Sequence, residues 1–175
     1  MRLFISALFI SVMLVLAGCA DDSDKKAEEK PVEALYNEAS DALDKKDYKE
    51  ATRLYEEVER QHPYSQWATQ AQLMGAYASY QAENYDEAVL ALDRFIELHP
   101  GSKDIAYAYY LKALCFYEQI SDVRRDQQMT KDALAALDTL IKRFPESDYT
   151  RDATLKRDLT LDHLAGKEME IGRYY

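Results

Sequence analysis

The chain has 175 residues, with 22 basic and 32 acidic side chains and a formal charge of −10 at pH 7. That balance excludes a nucleic-acid partner, because binding to a phosphate backbone rests on Lys and Arg displacing counterions. No nucleotide-binding glycine loop, paired-cysteine zinc motif or His-Glu-x-x-His helix occurs, so the sequence offers no cofactor site, no metal site and no catalytic constellation.

The N-terminus reads as an export signal. Arg2 supplies a short positive region, and Leu3 to Leu16 is apolar except for Ser6 and Ser11. A membrane-spanning helix needs about 20 apolar residues, so this run suits the core of a signal peptide instead. It ends in Leu16-Ala17-Gly18-Cys19, the pattern of a lipobox, in which small residues fit the peptidase and the Cys19 thiol takes a diacylglycerol. Residues 1–18 are thus expected to be a lipoprotein signal peptide, and Cys19 the lipidated residue, with an N-acyl chain added after cleavage. Two or three acyl chains make a durable anchor without a transmembrane helix. Ala20, where Asp would favour inner-membrane retention, points to the outer membrane.

Residues 19–31 are charged and without apolar periodicity, which predicts a disordered tether. With Cys19 acylated, Cys115 has no disulfide partner; beside Ala113, Leu114 and Phe116 it reads as a small core hydrophobe.

Residues 32–175 carry a repeat. Asp47-Tyr-Lys-Glu-Ala51, Asn84-Tyr-Asp-Glu-Ala88 and Met129-Thr-Lys-Asp-Ala133 correspond, and each is followed by a proline turn at Pro63, Pro100 and Pro145. Ser65, Ser102 and Ser147 stand two places after those prolines. The small alanine permits close approach of antiparallel helices, and Val58, Phe95 and Leu140 fill the face between pairs. Asp47 with Glu50, and Asn84 with Glu87, have the spacing of a capping box. Proline ends each helix and the serine is placed to cap the next. One pair cannot bury its own apolar stripe, so pairs must stack. The fold expected is all-α, a right-handed solenoid of about four tetratricopeptide-like helix pairs with the last incomplete. Its helices fall at 32–45, 48–62, 66–82, 85–98, 103–119, 130–143 and 147–164, with an eighth from about 166.

His62 and His99 share the position before the proline and read as turn residues, and His163 stands alone. The third repeat is longer by a segment around Ser121–Gln128, either a solvated loop or a docking element. The chain stops on Tyr174 and Tyr175, where a solenoid would be closed by a polar cap. Those tyrosines are expected either to meet another protein or to mark a fragment.

The residues Leu16-Ala-Gly-Cys19, Tyr85-Asp-Glu-Ala-x5-Arg94-Phe-Ile-x-Leu-x-Pro100, Ala106-Tyr-x-Tyr-Tyr-x-Lys-Ala113, Arg125-Asp-Gln127, Phe144-Pro-x-Ser-x-Tyr149 and Glu168-x-Glu-Ile-Gly-Arg-Tyr-Tyr175 together resemble the BamD family, also called ComL or YfiO. They span nearly all of the chain after Cys19, although family members continue through at least one further repeat. The resemblance implies a non-catalytic lipoprotein subunit of the outer-membrane β-barrel assembly (BAM) complex, on the periplasmic face of the outer membrane. Its partners would be the periplasmic domains of BamA, other lipoproteins of the complex and segments of unfolded outer-membrane proteins.

In such repeats the first helix of each pair lines the concave side. The expected groove positions are Gln70, Leu73, Tyr77 and Tyr80, then Tyr107, Tyr110, Leu114 and Tyr117, joined by Tyr36. Tyrosine offers apolar area and a hydroxyl at small entropic cost, which suits extended peptides. The same residues are equally suited to packing between helices. Docking candidates are Arg124, Arg125, Asp126 and Gln127 in the long loop, with Tyr174 and Tyr175. A bare repeat of this kind is also compatible with a periplasmic scaffold that regulates cell-wall synthesis enzymes.

Overall fold

A computed structural model describes residues 30–122 and 126–175. Seven helices are found there: α1 (Val32–Asp44), α2 (Tyr48–Gln61), α3 (Gln66–Gln81), α4 (Tyr85–Leu98), α5 (Ile105–Tyr117), α6 (Gln128–Arg143) and α7 (Thr150–Tyr174). No strand occurs among the described residues, and none of their helices is long and apolar enough to cross a membrane. Pro31–Tyr175 form one unit. The expected signal peptide, Cys19 and most of the tether lie outside the described residues.

The repeat written in the sequence is a repeat of turns. After α2, α4 and α6 the chain makes the same bend: Ser65, Ser102 and Ser147 each donate their backbone N–H to the carbonyl three residues back, on His62, His99 and Phe144. The turns inside the first two pairs also match. Lys46 and Glu83 both adopt φ 61°, and Asp47 and Asn84 return their N–H to the carbonyls of Ala42 and Ser79, closing each helix in a left-handed cap. That conformation favours glycine, and neither position has it.

Ala51, Ala88 and Ala133 are fully buried, as are Val58, Phe95 and Leu140. Burying each of these larger side chains contributes roughly 1.5–3 kcal/mol. Three apolar clusters follow one another along the stack: one around Tyr55 and Val58, one around Leu92 and Phe95, one around Leu137 and Leu140. Each helix packs on the next in the chain. In addition α1 approaches α3, α3 approaches α5 and α5 approaches α7, whereas the backbones of α2, α4 and α6 stay apart from one another and α2 and α4 are bridged by the side chains of Glu59 and Arg94. The first helices therefore form the tight inner row, and the second helices splay on the outer side.

Caps and boundaries depart from expectation at several places; among them α7 begins at Thr150 rather than 147, and Ser147 pairs with the Thr150 hydroxyl instead of capping the helix. The capping serine at 65 bonds the N–H of Ala68 at 3.0 Å and Asp47 accepts from Glu50 at 3.3 Å, but Asn84 makes no side-chain cap. Helix α5 begins at Ile105 rather than 103, because Ser102 Oγ takes the Asp104 N–H in a short turn instead. Helix α6 begins at Gln128, where Gln127 Oε1 accepts a bond from the Thr130 hydroxyl. Helix α7 is one helix of 25 residues, so the break expected before an eighth helix does not exist. Glycine at 166 costs a helix only about 1 kcal/mol and removes no hydrogen bond, unlike proline.

Candidate peptide-binding face

The inner row carries a band of half-buried tyrosines. Tyr77 and Tyr80 come from α3, Tyr107, Tyr110 and Tyr117 from α5. Helical spacing places members of each set on one side of its helix, and the contact of α3 with α5 brings the sets together. Tyr77 and Tyr107 pack against the same cluster as Tyr80. Beyond them, Tyr149 lies with its ring centre 5.4 Å from Tyr107 and 5.0 Å from Tyr110, nearly parallel to the latter.

The band is pinned at its far end by α7. Tyr110 Oη donates to Asp152 Oδ2 at 2.6 Å. Lys156 Nζ stands 3.1 Å from the same carboxylate and 5.3 Å from the centre of the Tyr117 ring. The Tyr110 bond holds the Asp152 carboxyl below the usual carboxylate range; partial burial opposes this and Lys156 adds to it. At the near end Tyr77 Oη accepts a bond from Gln81 Nε2 at 2.8 Å, and the Tyr80 ring leans on Tyr85.

Burial pushes the Tyr80 hydroxyl up to about 12, with Glu118 adding to the shift. Tyr107 is raised further by burial and its tyrosine neighbours, and Tyr110 by burial and then by its bond to Asp152. All three stay neutral at physiological pH, so the band presents ring surface and uncharged hydroxyls. Cys115 lies beneath it, fully buried, and burial lifts its thiol to about 12. A thiol so held is inert.

Two expected groove residues are not on this surface. Tyr36 and Leu73 belong to the buried core, at 8% and 6% exposure. They occupy one repeat position, shared with the half-buried Tyr110, but in the first two pairs the side chain packs into the core. Tyr36 packs on Tyr55 and Trp67, and its hydroxyl is pushed up to about 12 by burial and then by Tyr55. Leu73 joins the cluster around Phe95, where Leu114 is also packed. Gln70 is exposed, two helical turns before Tyr77. Sequence reasoning missed Tyr85, Tyr149, Asp152 and Lys156. The 45-residue repeat step from Tyr107 to Asp152 could have signalled Asp152.

Of the docking candidates, Arg124 and Arg125 lie outside the described residues. Asp126 is exposed, but Gln127 is buried, with its Oε1 3.2 Å from His163 Nδ1 on α7 and bonded to Thr130. Gln127 thus ties the long loop to α7. Tyr174 and Tyr175 are almost wholly exposed.

A family model described as an outer membrane lipoprotein, YfiO, matches residues 28–175. The chain belongs to this family. It is 49% identical to the outer membrane protein assembly factor BamD of Caulobacter vibrioides over 97% of its length, and 47% identical to that of Rickettsia prowazekii over 98%. The chain spans 57% and 68% of those two relatives. Among solved structures, MamA from Desulfovibrio magneticus RS-1 is similar in fold, with a TM-score of 0.53 and 18% identity, covering 82% of this chain and 77% of that one. The helix-pair stack of this YfiO-family chain is therefore shared with a protein of distant sequence.

Proposed function

We propose that this chain is the repeat module of a β-barrel assembly subunit, a non-catalytic lipoprotein held at the periplasmic face of the outer membrane by acyl chains on Cys19. It docks on the periplasmic domains of BamA, beside other lipoproteins of the complex, and helps to recognise unfolded outer-membrane proteins. The observation that carries this reading is the 49% identity to a named assembly factor across 97% of the chain. The geometry agrees with it: a band of neutral, half-exposed tyrosines on the inner row suits an extended peptide with aromatic residues. Tyr77, Tyr80, Tyr107, Tyr110 and Tyr117 form the receiving surface, with Gln70 at its margin. The exposed Tyr174 and Tyr175, together with Arg124, Arg125 and Asp126, are the docking candidates.

Two measurements test the two parts. Pull-down of the lipidated chain in mild detergent should recover BamA; a folded chain that recovers none would overturn the docking assignment. Fluorescence anisotropy of a labelled C-terminal barrel peptide should show binding weakened about tenfold or more by Tyr77→Ala with Tyr80→Ala, at unchanged helicity. Equal affinity in wild type and variant would remove the peptide from this face.

A further inference from the structure

On the outer side, α2 and α4 stand apart and α3 floors the cleft between them. At its centre the floor consists of Gly75, Ala76 and Ser79, and the space amounts to about 80 Å³. Glu56 on α2 and Glu87 on α4 face it from opposite walls. Neither takes part in any of the described ion pairs. Arg94 lines the same cleft, but its guanidinium is bonded to Glu59.

The next repeat shows how such a cleft is completed. Thirty-seven residues on, Lys112 stands where Gly75 does, and Asp93 where Glu56 does. The Lys112 ammonium bonds the Asp93 carboxylate, and its stem lines the corresponding cleft beside Phe116 and Asp132. Asp132 is the repeat counterpart of Glu87. The first cleft thus keeps the acidic walls of the second and lacks the lysine. Gly75 has a packing role as well, since a Cβ there would lie 3.3 Å from Tyr55 Cβ. The chain cannot place a lysine at 75 without crowding α2.

We propose that this cleft is an interaction surface that takes a lysine side chain from a segment of a partner protein, its ammonium between Glu56 and Glu87 as Lys112 stands beside Asp93 one repeat on. The four methylenes of the lysine lie along Gly75 and Ala76, and the charged head reaches the carboxylates at the rim. Charge complementarity selects the occupant: burial, then Glu87 and Glu59, hold the Glu56 carboxyl above its usual range, and an incoming cation relieves that repulsion. The surface is distinct from the tyrosine band and does not depend on it.

The test is titration of the ¹⁵N-labelled full chain in detergent with the peptide acetyl-Ala-Ala-Lys-Ala-Ala-amide, read from backbone amide shifts. Saturable shifts are expected at Gly75, Ala76 and Ser79, and none with the norleucine counterpart, which has the stem without the charge. Glu56→Gln should weaken binding about two- to fivefold, and Glu56→Gln with Glu87→Gln more than either alone. Absence of a saturable shift at Gly75 overturns the proposal, as does unchanged affinity in the double variant. Shifts of the same size with magnesium chloride at equal ionic strength overturn it too, by showing attraction of any cation.

Discussion

Replacing Tyr110 by Phe removes one oxygen and keeps the ring that stacks on Tyr149. The lost contact is the 2.6 Å hydrogen bond from Tyr110 Oη to Asp152, the polar tie between α5 and α7. A hydrogen bond to a charged group is worth about 1.5–3 kcal/mol net. The Asp152 side chain is 46% exposed, so water competes for it and screens the pair. We therefore expect a cost of about 1–1.5 kcal/mol, or a fall in melting temperature of roughly 2–6 °C for a domain of this size. The pH dependence has a definite sign. The folded-state carboxyl of Asp152 titrates below its unfolded value, so its contribution is present above the unfolded pKa of about 3.9 and fades as pH falls through the lower folded value. The gap between wild type and Tyr110→Phe should be flat from neutral pH down to about pH 5 and close at lower pH. Thermal melts across that range measure it. If Tyr110→Phe costs the same in an Asp152→Asn background, or keeps its full cost in acid, the hydrogen bond is not what holds α7 here.

The left-handed turns at Lys46 and Glu83 make another test. Glu83→Gly should stabilise the fold by a few tenths to about 1 kcal/mol in urea denaturation, because the strain of a side chain at φ 61° outweighs the added chain entropy; destabilisation would mean the Glu83 side chain contributes more than its backbone costs. Ser65→Ala, losing a cap bond, should cost about 1 kcal/mol, whereas Asn84→Ala, at a helix start with no side-chain cap, should cost clearly less by the same assay. Cys115 should react with a disulfide reagent only on unfolding, since it is buried and its thiol titrates at about 12; rapid labelling of the native chain would contradict that burial.

Membership of the YfiO family was legible from motifs spread over the chain. The groove was only partly so. Period 3.6 names the residues on one side of a helix, but an inner-row helix has three neighbours. Whether a residue on that side faces its own second helix, the preceding pair or open space depends on how far each pair is rotated on the last. Tyr36 and Leu73 were placed in the groove by spacing, and both are covered by the second helix of their own pair and the first of the next. Tyr77 and Tyr80, on the same spacing, remain half-exposed.

The sequence alone determined the helix pairs, their order, the buried alanines and the three matching proline turns. Those follow from local chemistry: a small residue where helices cross, a residue without an N–H where a helix must stop, an apolar stripe that one pair cannot bury. Only the tertiary structure decided which tyrosines reach the inner surface, that α7 runs unbroken through Gly166, and that Asp152 and Lys156 clasp Tyr110 and Tyr117. It also decided that the cleft over Gly75 lacks the lysine its neighbour has. Each of these depends on side chains far apart in sequence meeting across helices, and the angle between successive pairs is set by the whole packed interface.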